Sequence, residues 1–194
     1  RNTCFNCVDR HVEAGHGARI AFIHDSPMTG TKSKISYAEL LDRVQCVATM
    51  MQDKGIEKGD RVIIYMPMIV ETAIAALACA RLGAIHSIVF GGFAAAELAT
   101  RLDDAKPKLV LAASCGLEPG RIIDYKPLLD GAIELASHKP EACIIWQRDE
   151  APAPLISDRD YEWQPLENRA RAADRRAICE PVLATDPLYI LYTS

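Results

Sequence analysis

The sequence predicts an α/β fold in which a parallel sheet carries helices on both faces. Short apolar runs rich in β-branched residues alternate with longer segments whose apolar residues recur at helical spacing. Continuously apolar strands are typical of parallel sheets, because every parallel crossover brings an element that covers the sheet. The predicted strands are Arg61 to Met66, Ala84 to Phe90, Leu109 to Ala113, Ala142 to Trp146 and a final buried run, Leu188 to Tyr192.

The helices are expected before and between these strands, and the first has the clearest start signal. Ser36 and Glu39 match a capping box, in which the serine accepts from the glutamate N–H and the glutamate reaches back. Apolar residues recur as far as Met51, and Gly55 supplies a left-handed stop. The other predicted helices run from Ile69 to Leu82, a segment apolar enough to be covered on several sides, from Ala94 to Ala105, and from about Pro127 to Ser137.

The rest of the chain is interpreted as part of the same domain. Residues 147–181 are polar, include Pro152, Pro154 and Pro165, and are expected to form a loop-rich excursion. Arg1 is not a natural start, and the last strand is followed only by two hydroxyl residues. We therefore expect residues 1–194 to be an internal piece of a larger protein.

Composition narrows the classes of partner. The chain of 194 residues is 49% hydrophobic and 25% charged, as is typical of globular domains. A net charge of −4 without a basic tract argues against nucleic acid, and no apolar run approaches the ~20 residues that span a bilayer. Seven cysteines in mostly apolar contexts indicate reduced thiols and an intracellular location. Nothing in the sequence indicates an oligomeric state.

Two loops that follow predicted strands are candidate binding sites, because ligands of doubly wound sheets bind outside the carboxyl ends of the strands. In the first, Gly91 and Gly92 follow Phe90 and permit close approach of backbone to a ligand. A purely steric turn explains the same glycines, and the dinucleotide glycine pattern is absent. The second loop, Gly116 to Arg121, contains a Pro-Gly turn and an arginine suited to a phosphate, although the residues alone favour a solvated arginine before the next helix.

Three other patterns favour structural roles. Cys4, Cys7 and His11 have ligand-like spacing, with His16 beyond, but they fit one face of a short helix, so no metal site is assigned. His86 lies in an apolar strand and is interpreted as a core histidine with satisfied hydrogen bonds. Four arginines are interspersed with acidic residues, which indicates an exposed helix whose charged side chains form ion pairs: Arg169, Arg171, Arg175 and Arg176.

Three separated motifs carry a family resemblance. These are Gly55 to Pro67 (GIEKGDRVIIYMP), Leu82 to Phe93 (LGAIHSIVFGGF) and the ending LYILYTS. In this order they resemble the AMP-forming acyl-CoA synthetases of the adenylate-forming family, and most closely the short-chain branch that contains acetyl-CoA and propionyl-CoA synthetases. The resemblance covers the whole chain. It identifies residues 1–194 as part of the large N-terminal AMP-binding domain of such an enzyme.

The resemblance implies a two-step ligase reaction. A carboxylate attacks the α-phosphate of ATP to give acyl-AMP and pyrophosphate, with Mg²⁺ required, and the thiol of coenzyme A (CoA) then displaces AMP. The implied CoA site consists of Phe90, Gly91, Gly92 and the segment Glu118, Pro119, Gly120 and Arg121. The implied ATP side begins with Thr193 and Ser194, whose hydroxyls and backbone N–H groups suit a phosphate loop. No catalytic residue is assigned within the chain, and the chain alone is expected to be inactive.

The identity of the acid and the compartment rest on analogy. Glu118 leads into a Pro-Gly-Arg segment that resembles propionyl-type members, so propionate is favoured and acetate comes next. The alternatives are a medium-chain or other adenylate-forming ligase and a non-catalytic nucleotide-binding module. Short-chain members occur in the bacterial cytoplasm and the mitochondrial matrix, and the cytoplasm is favoured.

Overall fold

The computed structural model describes residues 2–192, and its centre is a five-stranded parallel sheet. Two short helical turns, Phe5–Asp9 and Val12–His16, come first. The strands are β1 (Ile20–Ser26), β2 (Thr31–Ser36), β3 (Arg61–Met66), β4 (Ile85–Phe90), β5 (Leu109–Ala113), β6 (Cys115–Glu118), β7 (Arg121–Asp124), β8 (Ala142–Trp146) and β9 (Asp160–Glu162). The helices are α1 (Tyr37–Gln52), α2 (Val70–Leu82), α3 (Ala95–Ala105), α4 (Tyr125–Leu135) and α5 (Trp163–Ala172).

The sheet has the strand order β4-β3-β5-β8-β9, and every neighbouring pair is parallel. Ile64 of β3 lies opposite Ile88 on one side and Leu111 on the other. The chain first adds β4 beside β3 and then crosses back to place β5 on the opposite side. Helix α1 packs against α2 and against α5, and α3 packs against α4. The predicted α/β fold, with its parallel sheet flanked by helices, is confirmed.

The predicted helix starts and coverings agree with the structure in detail. The Ser36 hydroxyl accepts from Glu39 N at 3.2 Å, and Ser36 N donates to the Glu39 carboxylate at 2.7 Å, which completes the capping box. Helix α2 is covered on several sides, so that even its charged residues are buried. One of them, Glu71, forms an ion pair with Arg43. Helix α4 begins two residues before the predicted Pro127, because a proline is tolerated throughout the first turn, whose N–H groups have no helical partner.

Residues 147–181 contain α5, where Arg169 and Arg171 had indicated a helix, and the short strand β9, which was not predicted. Strand β9 pairs with β8 at the edge of the sheet. Its sequence is polar because the buried Asp160 carboxylate forms an ion pair with Lys126 at 2.8 Å instead of packing in an apolar layer. The antiparallel hairpins β1–β2 and β6–β7 were also not predicted.

The sequence had suggested a purely solvated face for the arginines in and after α5, and the structure does not show one. Arg171 and Arg176 both pair with Asp42 of α1, each at 2.8 Å. The Glu167 carboxylate is buried and accepts from Trp163 Nε1 at 2.8 Å. These contacts join α5 to α1. Arg169 remains exposed.

The final run is an edge segment and not the buried strand that was predicted. It makes a single parallel bridge, between Tyr189 and His86 of β4, with Ile190 N donating to His86 O at 2.9 Å. Tyr189 and Leu191 are 57% and 74% exposed, because only alternate side chains meet the domain. Thr193 and Ser194 lie outside the described residues.

The environment of His86 also differs from the prediction. Nδ1 of His86 is buried and has no hydrogen-bond partner among residues 2–192, so the expected satisfied core histidine was wrong. Burial lowers the pKa of His86, which favours the neutral ring.

Across the described part of the chain, no helix combines the length and apolar character that a membrane crossing requires.

Candidate functional site

A groove lies where the order of the sheet reverses, at the carboxyl ends of the parallel strands. In doubly wound folds this reversal leaves a crevice, because the connections on the two sides lead away from each other. The groove has a volume of about 220 Å³, and its lining includes Met68 after β3, Phe90 at the end of β4, and Leu117 and Glu118 of β6. Both candidate loops therefore border one groove.

Tyr125, the first residue of α4, joins the two loops. Its side chain lines the groove and is only 3% exposed. A Cβ atom on Gly91 would lie 2.1 Å from a carbon of the Tyr125 ring, and a Cβ on Gly116 would lie 2.1 Å from the Tyr125 hydroxyl. Both glycines are thus required by the packing of one aromatic ring. The steric explanation of Gly91 is supported by this contact.

Gly92 has a different requirement, because its φ of +99° lies in the region that favours glycine. Its N–H donates to the Tyr65 hydroxyl at 3.1 Å, and that hydroxyl donates to Phe93 O at 3.0 Å. Burial raises the pKa of Tyr65, and burial together with Tyr65 raises the pKa of Tyr125 to about 12. Both phenols are therefore protonated at neutral pH, and the single proton of the Tyr65 hydroxyl is already donated to Phe93 O.

Phe90 is the exposed aromatic residue at the end of β4. Its side chain is 58% exposed and meets Phe93 edge-on, with the ring centroids 6.3 Å apart. An exposed aromatic ring beside a groove offers a flat apolar surface to a ligand.

The segment from Glu118 to Arg121 is the tip of the β6–β7 hairpin. Pro119 and Gly120 form its two-residue turn, and Gly120 has a φ of +76°. Arg121 Nε donates to the Glu118 carboxylate at 2.8 Å, and the two side chains are 68% and 40% exposed. The same tip borders a wider recess of about 710 Å³. Arg121, which the sequence indicated as suited to bind a phosphate, is thus paired with Glu118 across the turn.

Sequence reasoning missed Tyr125 and Arg148. Arg148 lines the groove, and its Nη1 donates to Cys115 O at 3.3 Å. It follows β8, so the rule that ligands bind at the carboxyl ends of strands also applied to it, although only the ends of β4 and β5 had been considered. The signal for Tyr125 was weaker. The pair Pro119-Gly120 is typical of a hairpin turn, and recognising that hairpin would have moved the predicted start of the next helix to Tyr125.

The structure separates the residues with metal-like spacing at the N-terminus. Cys4 is buried and Cys7 is exposed. Within residues 2–192, the group of side chains close enough to share a metal ion is instead Cys4, Asp9 and Cys179. It lies outside the groove.

Comparison with known proteins identifies the family. Residues 8–194 match the family model described as AMP-binding enzyme. The whole chain is 54% identical to an uncharacterised protein of Pseudomonas aeruginosa and 50% identical to acyl-CoA synthetase short-chain family member 3, mitochondrial, of Rattus norvegicus, of which it covers 30% and 28%. It is 44% identical to acetyl-coenzyme A synthetase of Pasteurella multocida and covers 29% of that protein. The chain thus spans less than a third of these curated relatives, and it belongs to the family of AMP-binding enzymes.

Proposed function

We propose that the protein containing this chain is an AMP-forming ligase that activates a short-chain carboxylate with ATP and transfers the acyl group to CoA. The proposal is supported by family membership and by relatives named as short-chain acyl-CoA and acetyl-coenzyme A synthetases. The carboxylate oxygen attacks the α-phosphate and pyrophosphate leaves; the CoA thiol then attacks the acyl carbon and AMP leaves. Propionate is the favoured acid, on the resemblance around Glu118, and acetate is the second.

The described part of the chain is proposed to form the CoA side of this reaction. The observation that carries this assignment is that Phe90 and Glu118, from loops far apart in sequence, line the same groove at the reversal of the strand order. Phe90 offers an exposed ring to the apolar or aromatic parts of CoA. Gly92 contributes backbone without a side chain, whereas Gly91 acts indirectly by making room for Tyr125.

Arg121 is proposed to bind a CoA phosphate by exchanging partners. An exposed ion pair such as Arg121 with Glu118 contributes only about 0–1 kcal/mol, so little is lost when it opens. An arginine can bind a phosphate with two parallel N–H···O bonds, and such charge-assisted bonds are stronger than neutral ones. Pro119 and Gly120 hold the turn that keeps the two side chains adjacent. Glu118 then acts as a competitor that a bound phosphate must displace.

The ATP side is proposed on the resemblance alone. Thr193 and Ser194, outside the described residues, are kept as the proposed start of the phosphate loop. Mg²⁺ accompanies ATP in this proposal, but we assign it no residue here, since the one ligand-like group within residues 2–192 contains two sulfurs and Mg²⁺ prefers oxygen. The cytoplasm remains the favoured compartment, while the word mitochondrial in the names of animal relatives supports the matrix as the second choice.

The test uses the complete enzyme and separates the two half-reactions. We expect Arg121→Ala to raise the KM for CoA by about tenfold, because a hydrogen bond to a charged group contributes ~1.5–3 kcal/mol. Glu118→Gln should lower that KM by up to about fivefold, since the competing ion pair is lost. Pyrophosphate exchange, which needs no CoA, should be unchanged in both variants.

Arg169→Ala is the matched control, because Arg169 is an exposed arginine on α5 and does not line the groove. An unchanged KM for CoA in Arg121→Ala would refute the CoA assignment. Pyrophosphate exchange with acetate, propionate and butyrate on the unchanged enzyme identifies the preferred acid. Absence of exchange with all three would contradict the proposed reaction.

A further inference from the structure

A pair of cysteines from opposite ends of the chain meets beside a buried arginine, away from the groove. The sulfur atoms of Cys4 and Cys179 lie 3.9 and 3.8 Å from the same oxygen, Oδ2 of Asp9. All three atoms lie within 4.8 Å of one another. Both cysteines are free thiols in the structure, with Cys4 fully buried and Cys179 partly exposed.

The backbone on both sides of this pair is held in place by Asn2. Its side-chain amide donates to Ala80 O at 2.7 Å, to Arg81 O at 3.0 Å and to Glu180 O at 2.9 Å. Its side-chain oxygen accepts from Cys4 N at 2.8 Å. The start of the chain, the end of α2 and the segment around Cys179 are thus joined at one point, which keeps the two thiols close.

Arg81 places a buried positive charge beside the two thiols, where it is paired with the Asp9 carboxylate. Its guanidinium donates to both carboxylate oxygens of Asp9 at 2.9 Å, to Cys4 Sγ at 3.5 Å and to Ala177 O at 2.6 Å. A metal ion bound by Cys4, Asp9 and Cys179 would have to sit beside this buried positive charge. The charge of Arg81 favours a thiolate, which is the reactive form of cysteine, although the Asp9 carboxylate opposes it.

The two thiols differ in character. A hydrogen bond from Cys4 and the charge of Arg81 lower the pKa of Cys179, and they outweigh its burial and the nearby Asp9 carboxylate, which raise it. The same thiol–thiol hydrogen bond and burial raise the pKa of Cys4. Cys179, the more exposed of the two, is therefore suited to react first with a small oxidant, and Cys4 is suited to react second.

We propose that Cys4 and Cys179 form a reversible disulfide on exposure to a hydroperoxide, joining the N-terminal segment to residues 177–180. The Cys179 thiolate attacks a peroxide oxygen, the O–O bond breaks, and the released hydroxide takes up a proton to give water and a sulfenic acid. Cys4 sulfur then attacks the sulfenic sulfur, and the S–O bond breaks. The hydroxide leaves as water with the Cys4 proton. In balance, two thiols are oxidised by two electrons and hydrogen peroxide is reduced to two waters.

The experiment traps the disulfide in the native, complete protein. Reduced protein is treated with equimolar hydrogen peroxide, free thiols are alkylated, and digested peptides are analysed by mass spectrometry. We expect a peptide containing Cys4 linked to one containing Cys179, and loss of that link after treatment with a thiol reductant. Cleavage at arginine leaves Cys4 and Cys7 in the same peptide, so Cys7→Ser is both the control and the variant that assigns the bond. It should retain the link.

Cys4→Ser and Cys179→Ser should each abolish the link, and Cys4→Ser should leave a sulfenic acid on Cys179 that dimedone traps. The melting temperature of oxidised Cys7→Ser should exceed that of its reduced form, because a cross-link restricts the unfolded chain. This comparison uses one variant and does not depend on the folding of the others. Absence of the link in oxidised Cys7→Ser, or an equally abundant link between the peptide containing Cys7 and Cys179 in Cys4→Ser, would overturn the proposal.

Discussion

At the scale of single residues, one aromatic side chain accounts for two of the glycines at the candidate site. Gly91 and Gly116 come from different loops, and both leave space for Tyr125. Gly92 is needed for another reason, its positive φ. The sequence showed where the glycines were, but it could not separate packing from ligand contact, since that difference depends on which side chain fills the space.

The contact with Tyr125 predicts the effect of enlarging Gly91. We expect Gly91→Ala to lower the free energy of unfolding by about 1–3 kcal/mol, as is usual when a methyl group overpacks a core. In a Tyr125→Ala background the same change should cost much less, because the ring that it would meet is gone. Urea unfolding of the two single variants and the double variant measures this coupling.

Gly17→Ala is the matched control for this cycle. Gly17 has an ordinary helical φ of −53°, and an added Cβ would meet Ala38 at 3.4 Å, an ordinary contact. Its effect should stay within about 0.5 kcal/mol. Strictly additive effects of Gly91→Ala and Tyr125→Ala would show that the two residues do not share the space.

At the scale of elements, charge explains the strand that the sequence missed. The central strands β3, β5 and β8 are continuously apolar and were predicted correctly. Strand β9 is short and polar, and it is attached to α4 through Asp160, whose carboxylate pairs with Lys126 at 2.8 Å and with Arg159 at 2.7 Å. Such a pairing between distant segments leaves no periodic signal in the sequence.

Asp160 should make the stability of the domain depend on pH. Burial alone would raise its pKa, but hydrogen bonds from Arg159 and Lys126 outweigh burial and lower the pKa. Because the pKa of Asp160 is lower in the folded state, its ionised carboxylate stabilises the fold at pH values above the unfolded-state pKa of about 3.9. This contribution is lost as the pH falls through the folded-state pKa. We expect Asp160→Asn to cost about 3 kcal/mol at pH 7, because it leaves buried Lys126 with one carboxylate fewer.

The measurement is urea unfolding of both proteins as the pH is lowered from 7 to about 3. The difference in the free energy of unfolding should shrink toward the acid end. Asp25→Asn is the control, since Asp25 pairs with Lys32 at 2.8 Å in an exposed position and should contribute about 0–1 kcal/mol. A difference between Asp160→Asn and the unchanged protein that stays constant with pH would rule out charge as its cause.

At the scale of the whole molecule, the order of the strands creates the candidate site. Placing β4 on one side of β3 and β5 on the other separates their connections and leaves the groove at the carboxyl ends. Residues from the ends of β4, β6 and β8 reach it, together with Tyr125. Thr193 and Ser194, which are proposed to begin the ATP side, are not among the described residues.

The limited span of the chain leads to a prediction about activity. It covers 28% to 30% of the length of three curated relatives, and no catalytic residue is assigned within it. We expect the 194-residue chain alone to release no pyrophosphate from ATP with propionate or acetate. The complete enzyme is the positive control, and circular dichroism of the chain checks that it is folded. Pyrophosphate release by the folded chain alone would contradict this expectation.

Local patterns in the sequence were sufficient for the strands β3, β4, β5 and β8, the helices α1 to α4, the capped start of α1 and the parallel character of the sheet. This is because hydrophobic periodicity and capping act over a few neighbouring residues. The tertiary structure alone decided that Arg121 pairs with Glu118, that Tyr125 joins the two loops and that Cys4 meets Cys179. It also decided the strand order. These features depend on contacts between segments far apart in the chain, or on the space around a turn, and neither is encoded in the spacing of residues along the sequence.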